Sequence, residues 1–437
     1  MKISISGIRG VYGNDLNLHE VIKFSRLFAS CLNKPKGKCV LARDTRHSGK
    51  ILHQVVSASL MEQGIDVYDL GVAPTPIVFR ETRKYGAGVV VTASHNPLEW
   101  NGLKFVLDGR GIYENELDLM LKGTTSAPDT FGKPYDIASD YFNEIFNLIV
   151  QTETNKAVTL GFDLGGGATC HYVEGLFKKL GYKFHCVNDI PGISSRGPDP
   201  TIDALYELRT LVQENELDFG FAFDLDGDRL VVVNNRGEKL NPDSTLLLCV
   251  ASALKMGMKK FVTSIDTSIS VEKLIKSHHG RCEYSKVGEA NVVKRMLELD
   301  SDAGGEGSSA GFILPRFNMC RDGLLAAATV SSLDRATINE CLRLASEYVQ
   351  IRSKIPVNSS IHLKLLDKLL DLFTSESSQI STIDGVKAVF DEDSWVLVRP
   401  SNTEDAIRIS VESKANNARS LYSEIMKRVM LIYEQVK

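Results

Sequence analysis

"KCVLARDTRHSGKILHQVVSASLMEQG", residues 38–64, sets the fold class. A short apolar run ends in polar residues and is followed by apolar residues at helical spacing. A strand buried on both faces reads as a continuous hydrophobic run, and an amphipathic helix as a 3.6-residue period, so the segment predicts a βα unit. The same plan recurs at "AVTLGFDLGGGATCHYVEGLFKKLGY" (157–182), and at "DFGFAFDLDGDRLVVV" (218–233) followed by "STLLLCVASALKMGMKKFVTSID" (244–266). Buried strands alternating with helices imply mixed or parallel sheets covered on both faces. Ligands of such sheets gather beyond the carboxyl ends of the strands, so the polar ends of these runs are where chemistry is expected.

The 437 residues exceed a single core and suggest three domains, or four small ones. Polar stretches at 124–136, 234–244 and 352–360 are the expected boundaries, dividing the chain into 1–136, 137–240, 241–352 and 353–437. The last part differs in texture: an amphipathic "IHLKLLDKLLDLF", strands near "WVLVRP" and "AIRISVES", and a closing helix predict a small α+β cap. With 43% hydrophobic and 24% charged residues the composition is that of a soluble globular protein, and no apolar run is long enough to span a membrane. "MKISISGIRG" lacks the apolar core of a signal peptide, which predicts a cytoplasmic protein. The eight cysteines form no C-x-x-C pair, which argues against a disulfide framework or zinc ribbon and predicts mostly reduced, buried thiols. A net charge of −4 without a basic stripe excludes a nucleic-acid or membrane surface and favours small-molecule chemistry.

Four loops carry that chemistry. In "VTASHNPLEWNGLKF" (91–105), Ser94 follows an apolar strand and precedes His95 and an Asn-Pro that discourages helix, which places a hydroxyl on a turn at a strand's end. A turn whose side chains bond their own backbone is the competing reading. The glycines of a hydrolase elbow are missing, so acyl transfer is disfavoured. In "FAFDLDGDRLVVV", Asp224, Asp226 and Asp228 repel one another unless a cation joins them, and an all-oxygen ligand set favours Mg²⁺. The loop lacks the glycine and glutamate positions of an EF-hand. In "VLVRPSNTEDAIRIS", Arg399, Ser401, Asn402 and Thr403 offer a guanidinium fork, hydroxyls and an amide between two strands, which suits phosphate. In "DAGGEGSSAGF", Glu306 and Ser308 stand among glycines that let backbone approach a ligand, with sugar hydroxyls as natural partners. Arg9 and Lys104 are cations able to neutralise a transferring phosphoryl group. His95 reads as an orienter of its loop.

Together "TASHNP", "DLDGDR", "GGEGS" and "RPSNTE", in this order over nearly the whole chain, resemble the α-D-phosphohexomutase superfamily, with "ASHNPLEWNGLKF" and "CRDGLLAA" most similar to archaeal-type phosphoglucosamine mutases and the phosphomannomutase/phosphoglucomutase enzymes next. The resemblance implies four domains, three related α/β domains and a smaller C-terminal α+β domain, around a central cleft. It also implies a phosphoserine at Ser94 and one Mg²⁺ held by Asp224, Asp226, Asp228 and a phosphate oxygen on Ser94. Arg9, His95, Lys104 and Arg229 would then serve transfer, Glu306 and Ser308 the sugar, and Arg399, Ser401, Asn402 and Thr403 the non-reacting phosphate. A sugar 1,6-bisphosphate activator and a monomer or homodimer acting on hexose phosphates follow from the same resemblance. Two departures stand out: Asp405 occupies a position where the family's phosphate loop usually has proline, and the sugar loop is one residue longer, so that Ser309 competes with Ser308. The other function classes are an aspartate-nucleophile phosphatase suggested by "DLDGD" and a sugar-phosphate-binding protein without turnover.

Overall fold

The computed structural model describes residues 1–32, 37–125, 130–149, 158–401 and 405–437. They form two compact units, one of Met1–Thr245 with Ser309–Asp334, the other of Leu246–Ser308 with Arg335–Lys437.

In the first unit the 38–64 segment forms strand Lys38–Arg43 and helix Gly49–Glu62, as expected of a βα unit. The strand pairs in parallel with Asp66–Val72 and Ala87–Val91. The sheet continues, antiparallel, from Ala87–Val91 through Trp100–Leu107 to Gly7–Val11. All five residues of Ala87–Val91 are buried, the pattern of a strand covered on both faces. Helix Leu18–Ser30 starts on Asn17, whose side chain accepts the Glu20 N–H at 3.1 Å, and packs Phe28 against Phe105 with ring centroids 4.7 Å apart.

A second sheet in this unit runs Lys183–Val187, Thr159–Asp163, Phe219–Phe223, Leu230–Asn234. The first three strands are parallel. The stretch 218–233 is not a single strand leading to a helix: Phe219–Phe223 and Leu230–Asn234 pair antiparallel as a hairpin whose turn is Asp224–Arg229. Every residue of both strands is buried, so each reads as a continuous apolar run, and polar Asp224–Arg229 alone marks the reversal. Helix Gly323–Ser331, buried along its whole length, lies against this hairpin.

The second unit holds parallel strands Arg281–Ser285, Lys260–Ser264 and Ala303–Glu306 with helices Ile269–Ser277 and Glu289–Leu299. It also holds a five-stranded antiparallel sheet in the order Tyr348–Pro356, Ala406–Lys414, Ser394–Pro400, Val386–Asp391, Gln379–Ser381. Helices His362–Thr374 and Ala418–Val436 pack on that sheet, so the C-terminal part is α+β as its texture suggests.

All eight cysteines are free, but half rather than most are buried: Cys39, Cys249, Cys320 and Cys341. Cys31 is exposed because it caps the end of the first helix at the surface. Among the described residues no helix is long and apolar enough to cross a membrane.

Candidate active site

Two buried turns of the first unit meet. Three residues past strand Ala87–Val91, Ser94 adopts a left-handed φ of +52° and is 1% exposed. Its Oγ donates to Asp224 Oδ2 at 2.9 Å. Its N–H donates to Thr92 Oγ1 at 2.8 Å. The hairpin turn carries Asp224, Asp226 and Asp228, with one oxygen of each within 4.8 Å of the others and all three buried. Gly227 takes a φ of +69° and lets its N–H reach Asp224 O at 3.1 Å, closing the turn.

The protein supplies these three carboxylates with too few donors. Asp226 Oδ2 accepts from Thr75 Oγ1 at 2.6 Å, and Asp228 Oδ2 from Lys104 Nζ at 3.2 Å and Arg321 Nη2 at 2.9 Å. Asp226 Oδ1 and Asp228 Oδ1, both buried, have no hydrogen-bond partner. Burial, reinforced by the charges of Asp226 and Asp228, pushes the Asp224 carboxyl well above the usual range. Burial also opposes ionisation of Asp228, but the charges of Arg321, Lys104 and Arg229 outweigh it and hold its carboxyl low. Orphaned buried oxygens and a carboxyl resisting ionisation are what a divalent cation relieves, and an oxygen-only set fits a hard ion.

Cations surround the cluster. Arg229 donates its N–H to Asp224 Oδ1 at 3.1 Å, and its guanidinium lies 3.3 Å from His95 Nε2 and 3.6 Å from Asp199. Lys104 lies 4% exposed over the Phe79 ring. Arg9 reaches Ala93 O at 3.4 Å, and burial lowers its pKa despite the attraction of Asp226 and Asp228. His95 Nδ1 lies 3.3 Å from Ser94 Oγ. Burial and the neighbouring Arg229 and Arg9 push the His95 pKa down to about 2, so the ring is neutral. Arginine only donates, so Nε2 accepts from Arg229 and the ring proton sits on Nδ1, facing Ser94.

Thr75 and Arg321 are members of this cluster that the sequence reading assigned no role. Thr75 opens helix Thr75–Tyr85, and its N–H also reaches Asp226 O at 2.8 Å. Arg321 comes from "CRDG", far along the chain. It is brought in by Gly323, whose N–H bonds Gly227 O at 3.1 Å, and a Cβ there would lie 2.8 Å from both Gly227 O and Arg229 O. The Arg-Asp-Gly spacing, with Asp322 capping the following helix at Leu325 N, is the sequence signal that marks it.

The remaining expected residues lie in the second unit. Glu306 ends strand Ala303–Glu306, is 3% exposed, and accepts from Gly288 N at 2.7 Å. Asp384 accepts from the adjacent Val287 N at 3.1 Å and lies 3.8 Å from Arg399 Nη1, so the turn at 287–288 bridges Glu306 and Arg399. Ser308 is half-buried in the single 3₁₀ turn Gly307–Ser309, where Ser309 is buried. Ser401 N–H donates to Ala406 O at 2.8 Å, and Asp405 is exposed. Asn402 and Thr403 lie outside the described residues.

Comparison with known proteins bears on the whole chain. The phosphoglucomutase/phosphomannomutase alpha/beta/alpha domains I, II and III match residues 1–126, 139–237 and 241–350, and the C-terminal domain matches 354–422. A Methanothermobacter thermautotrophicus protein named as a probable phosphoglucosamine mutase is 33% identical over 428 residues, 94% of this chain and 93% of that one. A Sulfurisphaera tokodaii phosphoglucosamine/phosphogalactosamine mutase is 31% identical over 448 residues, covering 97% and 98% of the two chains. A crystal structure of a phosphoglucomutase/phosphomannomutase family protein from Burkholderia thailandensis superposes with a TM-score of 0.85 at 24% identity, over 99% of this chain and 98% of that one.

Proposed function

The chain belongs to the phosphoglucomutase/phosphomannomutase family, and we propose that it interconverts hexose 6-phosphate and hexose 1-phosphate, glucosamine phosphate first, through a phosphoryl group carried on Ser94. The observation that carries this reading is the Ser94 hydroxyl 2.9 Å from one member of a buried three-carboxylate cluster ringed by cations. Names of relatives as phosphoglucosamine mutases support the choice of sugar, and glucose and mannose phosphates are the next substrates to consider.

The roles of the residues follow from their chemistry. Ser94 Oγ carries the phosphoryl group, passes it to a hexose monophosphate, and takes the other phosphate back from the bisphosphate once the sugar has turned round. Lys104, Arg229, Arg9 and Arg321 neutralise the charge spread over the transferring oxygens. Neutral His95 offers its Nδ1–H to Ser94 Oγ and is itself oriented by Arg229. Asp224, Asp226 and Asp228, with a phosphoryl oxygen on Ser94, would hold one Mg²⁺, whose contribution is Lewis-acid polarisation of the phosphoryl oxygens. In the second unit, Arg399 and Ser401, with Asn402 and Thr403, grip the phosphate that is not reacting. Glu306 and Ser308 accept the sugar hydroxyls in either orientation. A sugar 1,6-bisphosphate maintains the phosphorylated enzyme, residues 1–136, 137–240, 241–352 and 353–437 are its domains, and it works in the cytoplasm.

The test is turnover of glucosamine 6-phosphate, glucose 1-phosphate and mannose 1-phosphate with Mg²⁺ and catalytic bisphosphate, by the wild type, Ser94→Ala and Asp224→Asn. Loss in Ser94→Ala with glucosamine phosphate preferred is the expected result. Activity surviving in Ser94→Ala but not in Asp224→Asn would transfer the nucleophile to Asp224 and refute phosphoryl carriage on Ser94.

A further inference from the structure

The Ser94 turn is gripped by one buried side chain that no step of the reaction uses. Arg46 follows strand Lys38–Arg43, and its side chain is fully buried. A guanidinium has five N–H donors, and here each has an acceptor. Nε meets Asp44 Oδ2 at 3.1 Å, Nη1 meets Pro97 O at 2.5 Å and Trp100 O at 3.0 Å, and Nη2 meets Ser94 O at 2.5 Å and Asn96 O at 2.7 Å. Four carbonyls of the loop, between Ser94 and Trp100, are thus tied to one rigid plane. A second tie runs through the same carboxylate: Asp44 Oδ2 accepts the Thr92 hydroxyl at 2.6 Å, and Thr92 Oγ1 accepts the Ser94 N–H at 2.8 Å.

The need for such a grip is local. Ser94 sits at a φ of +52°, a conformation that costs an L-residue about 1–2 kcal/mol and persists only where its surroundings over-determine it. Left to itself the turn would relax and swing Oγ off Asp224.

We propose that Arg46, acting with Asp44 and Thr92, is a positioning residue for phosphoryl transfer, fixing the backbone of the Ser94 turn so that Oγ is held at the acidic cluster. This rests on Ser94 being the phosphoryl carrier. Lysine keeps the charge facing Asp44 but supplies three donors on a flexible stem in place of a five-donor fork. Arg46→Lys therefore loosens the turn without leaving a buried carboxylate unpaired.

The experiment is steady-state kinetics and phosphoryl loading of the full-length, Mg²⁺-loaded protein for wild type, Arg46→Lys, Thr92→Val and Thr92→Ser, each with a measured Tm. A displacement of about 1 Å at a reacting atom costs on the order of 100-fold, so Arg46→Lys lowers kcat by about that factor. KM for the monophosphate stays within about twofold, because the grip on substrate lies elsewhere. Thr92→Val lowers kcat in the same manner, and Thr92→Ser, which keeps the hydroxyl, rescues it. Should Arg46→Lys not fold, the Thr92 pair carries the test alone. A merely structural role would lower Tm and leave kcat per folded molecule within about threefold, and that result overturns the inference while a phosphorylated, active wild type keeps the mutase reading intact. A wild type that takes no phosphoryl group on Ser94 overturns both.

Discussion

The Ser94 turn and the Arg399 loop are both expected to handle phosphate, and they are built in opposite ways. Around Ser94 the turn itself is tied by short, buried bonds: Oγ on Asp224, N–H on Thr92, carbonyl on Arg46, with one oxygen of the Asp228 carboxylate between Lys104 and Arg321. Arg399 reaches Pro400 O at 3.4 Å and Asp384 at 3.8 Å, both long for a guanidinium. Transfer of a bond needs preorganised charge at fixed positions, whereas a loop that accepts either phosphate of a bisphosphate needs donors held in reserve. The difference teaches that the turn proposed to carry the phosphoryl group is fixed by short bonds, while the guanidinium proposed to grip phosphate is held by longer contacts.

The comparison can be broken most severely at the acidic cluster. Chelation of divalent cations, or Asp226→Asn, is expected to lower kcat at least about 1,000-fold with Mg²⁺ restoring only the chelated wild type, since several kcal/mol of charge stabilisation is lost. Retained turnover in the Mg²⁺-free protein would remove the cation from the account. At the gripping end, Arg399→Ala should raise KM for the monophosphate by about 10- to 100-fold, the 1.5–3 kcal/mol of a charged hydrogen bond, with a smaller change in kcat. A kcat-only effect would place Arg399 with the reacting groups.

His95 sharpens the contrast through pH. Its folded pKa of about 2 lies below that of a free histidine, so below pH ~6.5 the unfolded chain binds a proton that the folded one refuses, and stability falls as pH falls. From pH 6.5 to 5 the cation-free protein should lose about 2 kcal/mol through this residue, visible as a drop in Tm that His95→Gln reduces. An equal drop in both proteins would mean that the ring is already protonated. The smallest effect is at Asp405: because it is exposed, Asp405→Pro should leave KM for the monophosphate within about twofold, and a larger fall would show that its carboxylate weakens the phosphate site.

What the sequence made legible follows the same division. Ser94 and the three aspartates stand out because polar residues end runs that are apolar throughout, and such ends lie beyond the strands' carboxyl termini. The 38–64 βα unit is visible for a related reason, since its two periods differ. The reversal inside 218–233 is less visible, because two fully buried strands on either side of a short turn have the same apolar texture as one long run. Thr75 and Arg46 carry no local signal, and the Arg-Asp-Gly spacing that marks Arg321 does not tell which residues it meets. The three join Asp226, Asp228 and the Ser94 turn across long stretches of chain, and pairings at such separations leave no local period. Half the cysteines escaped the burial expectation because burial depends on which helix end or sheet edge faces water.

The most direct test is the intact mass of the wild type and Ser94→Ala before and after incubation with glucose 1,6-bisphosphate and Mg²⁺, with the modified peptide sequenced. The account predicts one phosphoryl group on the wild type, located at Ser94, discharged by hexose monophosphate and missing from Ser94→Ala. A wild type that gains no mass, or a phosphoryl group that maps to Asp224 and persists in Ser94→Ala, would contradict it.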